Sequence, residues 1–214
     1  LSDELKKLDN QLNNIIGSYI KNNNFKGEKG EIKNIYLNKN IKNVALVGLG
    51  EEEKYGLDVL STVIADVSKK IRDNKTESFS IFLDSFNNGK FKDGEIVEKI
   101  SLCALIGLYK FSEYKTKDKE KKLVKQITII TNSDKNFEYQ IKYASIVADA
   151  VNKTRDIVNT PPNIATPEYV ANYAKEIGNN FSLKTKIFDE KDIEKMNMGC
   201  FLGVAQGSTN KPRL

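Results

Sequence analysis

The chain has 214 residues, 39% of them hydrophobic and 29% charged, with 34 Lys and Arg against 29 Asp and Glu for a formal net charge of +5. That length suits one domain, or one domain and part of another. Histidine is absent and there are two cysteines, which excludes a Ser-His-Asp or Cys-His catalytic unit, an H-E-x-x-H zinc helix, a Cys₂His₂ finger and a cysteine-only structural zinc site, since such a site needs four ligands. What remains is chemistry run by carboxylate, Lys, Arg, Tyr, hydroxyl or backbone groups.

The basic surplus is small and dispersed. Its densest run, Lys115-Thr-Lys-Asp-Lys-Glu-Lys-Lys122, contains Asp118 and Glu120 and reads as a solvated loop or helix end rather than a phosphate-binding patch. Two distant cysteines in a Lys-rich chain fit a reducing compartment. Cys103, inside Leu102-Cys-Ala-Leu-Ile106, is expected to pack as a small hydrophobe. No stretch approaches the roughly 18 uninterrupted apolar residues of a membrane-spanning helix, and no secretory leader is expected.

In chain order, residues 4 to 20 read as one amphipathic helix, with Leu5, Leu8, Leu12, Ile15 and Tyr19 at three- and four-residue steps. Ser2 is its expected N-cap, with Asp3 and Glu4 near the positive end of the dipole. Ile32 to Leu37 and Val44 to Leu49 are short β-type runs separated by Asn38-Lys-Asn40. A helix follows with Leu57, Leu60, Ile64, Val67 and Ile71 on one face. Phe79 to Leu83 reads as a strand, and Asn87-Asn-Gly89 as the turn after it. Residues 95 to 110 form a helix that is apolar nearly all round, which predicts burial. Gln126 to Thr131 is the next strand.

The longest helix is expected over about 137 to 158, with Phe137, Ile141, Ala144, Ala148 and Val151 on one face. It must end before Asn159-Thr-Pro-Pro-Asn163, because proline cannot continue it and disfavours helix in the residue before. Thr166 caps a new helix with Pro167 at its first position, and Gly178 is expected to close it. Leu183 to Phe188 reads as a strand, Asp189 as the cap of a short helix to Met196, and Cys200 to Ala205 as a final strand.

Strands alternating with helices predict an α/β fold with a mostly parallel sheet and helices on both faces. The proline break marks a domain boundary. This divides the chain into an N-terminal α/β domain over 1–135, a linker helix over 136–159, and the beginning of a second domain over 160–214. That last piece is too small to bury a core alone, so its sheet is expected to be continued by further residues.

Several motifs bear on chemistry. Val44-Ala-Leu-Val-Gly-Leu-Gly50 runs a strand into a G-x-G turn, as a dinucleotide fingerprint begins, but the third glycine would fall at Glu53. Three carboxylates, Glu51 to Glu53, would repel a pyrophosphate, so a tight acidic turn is the better reading. Val204-Ala-Gln-Gly-Ser208 is neither a P-loop nor a nucleophile elbow, and Ser208 has no histidine to activate it. Arg155, Asp156 and Asn159 lie in the last turn of the long helix, as inter-domain architecture or in support of a neighbouring site. Met196 and Met198 are expected to fill core gaps. Asp189, Glu190, Asp192 and Glu194 are expected to face solvent, with no spacing that argues for a metal.

Thr154-Arg-Asp-Ile-Val-Asn-Thr-Pro-Pro-Asn-Ile-Ala-Thr-Pro167 resembles the segment that opens the catalytic domain in the leucyl (cytosol) aminopeptidase family. Met198-Gly-Cys-Phe-Leu-Gly-Val-Ala-Gln-Gly-Ser208 resembles the next characteristic strand of that family, and Lys211-Pro-Arg-Leu214 the start of the strand after it. Val47-Gly-Leu-Gly50 and Leu105 to Lys115 resemble landmarks of its N-terminal domain. The resemblance implies a macro-domain-like N-terminal domain, a long linker helix, and the first strands and helices of an α/β catalytic domain. It implies a cytoplasmic hexamer with active sites facing an inner cavity, acting on peptide substrates. It implies two divalent metal ions per active site (Zn²⁺, Mn²⁺ or Mg²⁺), with a bridging hydroxide attacking the first peptide carbonyl. The family's Asp, Glu and Lys ligands sit in a Lys-rich, Asp-containing stretch and an Asn-x-Asp-x-Glu-Gly-Arg stretch, and neither occurs before Leu214. No catalytic, cofactor-binding or metal residue is therefore carried onto this sequence.

The sequence thus supports the N-terminal portion of a two-metal leucyl aminopeptidase, inactive by itself. The alternative is a non-catalytic binding or assembly module, taking a nucleotide or DNA or driving oligomerisation. A free-standing regulator that lacks the catalytic half is a third reading.

Overall fold

The computed structural model describes residues 3–22, 25–37, 41–116 and 124–214. Ser2, the Asn38–Asn40 link and residues 117–122 of the lysine-rich run lie outside the described residues. The chain divides into two compact units, Leu1–Asn152 and Lys153–Leu214.

The first unit opens with two helices, α1 (Asp3–Gln11) and α2 (Ile15–Lys21), where the sequence pattern predicts one. The break is built by asparagine: Asn13 and Asn14 adopt φ of 62° and 57°, a left-handed conformation that Asn tolerates better than most residues. The buried Asp9 carboxylate then caps α2, accepting from Ile16 N at 2.7 Å and Gly17 N at 2.8 Å. Apolar periodicity continues across the break, so both helices still bury one face.

That face packs on a hairpin of β1 (Ile32–Tyr36) and β2 (Asn43–Val47). The strands are antiparallel, with Ile32 opposite Val47 and Tyr36 opposite Asn43. A link this short cannot make the crossover that parallel pairing needs, so the first pair departs from the expected parallel arrangement. Along β2, Val44 and Leu46 join Leu12, Ile16, Ile35 and Leu37 in one core cluster, while Val47 and the following Leu49 pack against a second. Alternation along a strand sends successive side chains to opposite faces, so β2 is apolar on both because each face meets a different core.

The second, larger core is made by α3 (Leu57–Asp73), β3 (Ser78–Phe82), α4 (Asp93–Gly107) and β4 (Gln126–Ile130). β3 and β4 are parallel, with Ser78 opposite Gln126 and Phe82 opposite Ile130. As its composition predicts, α4 is covered, but to different depths: Ile96, Val97, Ile100, Ser101 and Ala104 are buried on one face, and the remaining residues to Tyr109 are half-buried. Cys103 packs against this core as a small hydrophobe. A Cβ at Gly107 would lie 2.4 Å from the Ala65 carbonyl oxygen, so glycine is what lets α3 and α4 touch through their backbones. Arg72 of α3 donates to the Gly107 and Tyr109 carbonyls, which satisfies the end of α4 and stops it short of the expected residue 110.

The longest helix, α5 (Glu138–Asn159), runs one residue past the expected 158 and stops before the prolines. Thr160 turns its N–H back to the Asp156 carbonyl at 3.0 Å, and its hydroxyl donates to the same oxygen at 2.7 Å. The buried face of α5 is narrower than its pattern predicts. Ala144 and Ala148 are buried, but Ile141 and Val151 are exposed, as are Tyr139 and Tyr143, whose rings stack at 6.4 Å.

The second unit holds α6 (Pro167–Asn180), α7 (Glu190–Lys195) and α8 (Gly199–Ala205). Thr166 caps α6 by accepting from Tyr169 N, and Asp189 caps α7 by accepting from Asp192 N, both as expected. Gly178 does not close α6, which runs on to Asn180. A Cβ there would lie 2.0 Å from Thr185 Oγ1, so this glycine makes room for the returning chain.

Two expected strands are corrected. Cys200 to Ala205 is helical: Leu202 N donates to Met198 O and Gln206 N to Leu202 O. A short apolar run does not distinguish strand from helix by periodicity, and here local bonds satisfy the backbone. Leu183 to Phe188 has no regular secondary structure and forms no ladder among the described residues. Its pairing is limited to Phe188 and Leu214, which exchange backbone bonds of 2.7 and 3.1 Å.

Candidate functional site

In the first unit, two concave regions meet at the turn after β2. Gly48 and Gly50 are both required by geometry. A Cβ at Gly48 would lie 2.0 Å from the Glu28 carbonyl oxygen, and Gly50 has φ of +79°. Their amides are spent on pairing: Gly48 N donates to Glu31 O at 2.8 Å and Gly50 N to Gly27 O at 2.9 Å. The Glu31 carboxylate accepts from Lys26 N and Gly27 N at 2.9 and 2.8 Å, which fixes the facing loop. A groove of 380 Å³ runs between them, walled by Leu49 and Val59 and edged by Lys26, Lys29 and Lys54 with Glu28 and Glu51.

Beside it lies an open depression of 610 Å³ lined by Glu51, Glu52, Glu53 and Lys90. Lys54 pairs with Glu51 at 2.8 Å, and Lys90 Nζ donates to the Glu52 carbonyl at 2.9 Å. Tyr55, the residue after Lys54, is buried. Its hydroxyl donates to Phe86 O at 2.6 Å, and burial pushes its pKa up to about 12. These features answer the G-x-G motif. Its amides do not face an open cradle, α3 starts only at Leu57, and the adjacent lining is carboxylate. A pyrophosphate would meet repulsion there instead of backbone donors.

In the second unit the singled-out residues serve local structure. Ser208 Oγ accepts from Asn210 N at 3.1 Å. Asp189 is spent on the α7 cap, Asp192 pairs with Lys195 at 3.8 Å, and Glu190 pairs with Lys211 at 3.3 Å. Arg213 engages Glu168 through Nε and Nη2, both at 2.7 Å. Arg155, Asp156 and Asn159 stand together at the end of α5, whose last carbonyls close on Thr160. Met196 is exposed, which corrects its expected place as core filling; it follows the last residue of a short helix whose buried residue is Ile193.

Two polar residues escaped sequence reasoning. Asp9 has no motif, because its partners are backbone amides across a helix break. Asp84 sits just beyond the carboxyl end of β3 and accepts from Thr131 Oγ1 at 3.1 Å and from Asn132 N and Nδ2 at 3.2 Å. A carboxylate after one strand with Thr-Asn after its neighbour was the available signal. Among the described residues, no three His, Cys, Asp or Glu stand close enough to hold a metal ion.

Comparison with known proteins places this α/β architecture in a class. Residues 1–118 match the cytosol aminopeptidase family N-terminal domain, and residues 152–214 match that family's catalytic domain. The chain belongs to the cytosol aminopeptidase family. It is 35% identical to a probable cytosol aminopeptidase of a Sulfurihydrogenibium species, over 100% of this chain and 43% of the relative. It is 34% identical to a probable cytosol aminopeptidase of Aquifex aeolicus, over 89% of this chain and 38% of the relative. The chain thus spans less than half the length of these curated relatives.

Among solved structures, a mutant of tomato leucine aminopeptidase superposes with a TM-score of 0.85 at 23% identity, over 99% of this chain and 42% of that one. The bottromycin maturation enzyme BotP in complex with Mn gives 0.78 at 17% identity, over 91% and 40%. At such identities the likeness is one of fold. Among the described residues no helix is long and apolar enough to cross a membrane.

Proposed function

We propose that this chain is the N-terminal portion of a two-metal leucyl aminopeptidase that removes N-terminal amino acids from peptides, with the catalytic motifs beyond Leu214. The observation that carries the reading is the paired family match, N-terminal domain over 1–118 and catalytic domain over 152–214. The domain plan is 1–135, a linker helix over 136–159, and the catalytic domain from 160. It is supported by the unit division inside α5 and by the proline break after it.

The proposed enzyme uses two divalent ions, Zn²⁺ or Mn²⁺. The Mn in BotP supports that choice of metal class. It is cytoplasmic, takes peptides as substrates and assembles as a homo-hexamer. The exposed apolar residues on α5 and in the second unit, including Tyr139, Ile146, Val158 and Val204, are consistent with surface that further protein covers.

The test is to read the coding sequence past Leu214. A Lys-rich, Asp-containing stretch followed by Asn-x-Asp-x-Glu-Gly-Arg is expected within one domain's length. A reading frame that continues that far without them contradicts the proposal.

A further inference from the structure

The loop between β3 and α4 reads Asn87-Asn88-Gly89-Lys90, and Asn88 is the one asparagine in the chain followed by glycine. Glycine places no Cβ in the way when its own backbone nitrogen approaches the preceding side chain. Three observations favour that approach here. Asn88 Oδ1 accepts from Lys90 N at 3.3 Å, an Asx turn that folds the side chain forward over the Asn88–Gly89 peptide. Gly89 has φ of +84° and nothing within 4 Å of where a Cβ would stand, so there is room for a ring to close. Asn88 Nδ2 is buried without an acceptor, so its departure breaks no hydrogen bond and removes an unsatisfied donor. One bond opposes it: Gly89 N donates to Asn87 Oδ1 at 2.9 Å, and this hold must open first.

We infer that Asn88 is a self-modification site, converting to aspartyl and isoaspartyl forms with water as the only co-reactant. Gly89 N forms a bond to Asn88 Cγ, and the Cγ–Nδ2 bond breaks. Nδ2 leaves as ammonia and carries the proton that Gly89 N gives up. Water then opens the cyclic imide. Attack at the main-chain carbonyl breaks the original peptide bond and leaves an isoaspartyl link through Cγ with a free α-carboxylate. Attack at Cγ restores the normal chain as aspartate. No electrons are exchanged.

The isoaspartyl product inserts one carbon into the backbone. It also sets a new carboxylate two residues before Lys90, whose ammonium bridges this loop to the Glu52 carbonyl. It lengthens the path from Asn87, which donates to Asp93 at the start of α4 at 2.9 Å. The modified loop therefore loosens its grip on the acidic turn.

The experiment incubates the full chain at mildly alkaline pH and follows every asparagine by peptide mapping. Isoaspartate is counted by enzymatic methylation with S-adenosylmethionine. Asn88 is expected to convert ahead of all others, including Asn132, which precedes serine, and to give more isoaspartyl than aspartyl product. Gly89→Asn keeps a residue that tolerates positive φ and is expected to slow conversion about tenfold by restoring a side chain beside the attacking nitrogen. Asn87→Ala releases the Gly89 N–H and is expected to speed it. Asn88 remaining intact while Asn132 converts, an unchanged rate in Gly89→Asn, or an unchanged or lower rate in Asn87→Ala would overturn the assignment.

Discussion

The two units of the chain are held by different means. In the first, Leu60, Ile64, Leu83, Ile96 and Ile100 are fully buried in one cluster, and each such side chain contributes about 1.5–3 kcal/mol relative to exposure. In the second, the buried apolar side chains among the described residues are Ala171, Ile193 and Pro212, while Phe181, Leu183 and Val204 are 64%, 60% and 85% exposed. What organises that unit is mostly local, the Thr166 and Asp189 caps and the turns around the prolines, with the Phe188–Leu214 pair as a long-range backbone tie. The first unit has the means to hold itself together. The second has an ordered backbone with few apolar side chains buried among its described residues.

Substitutions can break or sharpen this contrast. The largest effect is expected from Leu60→Ala or Ile100→Ala, at about 2–5 kcal/mol of destabilisation in denaturant titration from the cavity each leaves. Val204→Ala in the second unit is expected within about 0.5 kcal/mol of the parent; a cost matching that of Leu60→Ala would erase the difference between the units. Gly107→Ala, which places a Cβ 2.4 Å from the Ala65 oxygen, is expected to cost about 1–3 kcal/mol by forcing α3 and α4 apart. Thermal unfolding that leaves Gly107→Ala unshifted would mean the helices are not packed through that glycine.

A smaller effect belongs to the caps. Asp189→Ala is expected to cost about 1 kcal/mol, read as loss of helicity by circular dichroism in α7 while the first unit is unchanged. Tyr55→Phe is expected to cost about 1 kcal/mol because it leaves the Phe86 carbonyl without its donor. It also carries a pH signature. Burial raises the Tyr55 pKa from 10.0 to about 12, so the folded chain binds that proton more tightly than the unfolded one. The stability from this group is full below pH 10 and is lost as pH rises toward 12. The difference between parent and Tyr55→Phe should shrink across that window, and a difference that grows with pH would contradict the assignment. The smallest effect is that of Arg213→Ala, at about 0.2–1 kcal/mol and diminished by salt, because Glu168 is half exposed.

Much of this architecture is readable from residues alone where one local rule acts without competition. The largely apolar stretch after Glu95 read as a buried helix, and the prolines at 161 and 162 had to end α5. Thr166 with Pro167 and Asp189 marked helix starts through capping chemistry. The misreadings fall where tertiary pairing decides. Residues 4 to 20 carry an unbroken apolar stripe, yet Asp9 and two left-handed asparagines divide them. Residues 200 to 205 and 183 to 188 are β-like in composition, but a strand needs a neighbour, which a pattern within six residues does not supply. For function, the family was legible in the order of two C-terminal motifs. Asp84 and Asp9 were not legible, because their partners are distant in sequence or belong to the backbone.

The central claim is that these residues carry a self-supporting domain and the opening of a second, with the metal chemistry placed elsewhere. Hydrolysis of a leucine anilide by residues 1–214 with added Mn²⁺ tests it most directly. The account predicts no turnover above the metal-only blank, and activity once the remainder of the family's length is joined to the chain. Turnover by residues 1–214 that is abolished by a chelator would contradict it, because it would place a working metal centre within residues 1–214.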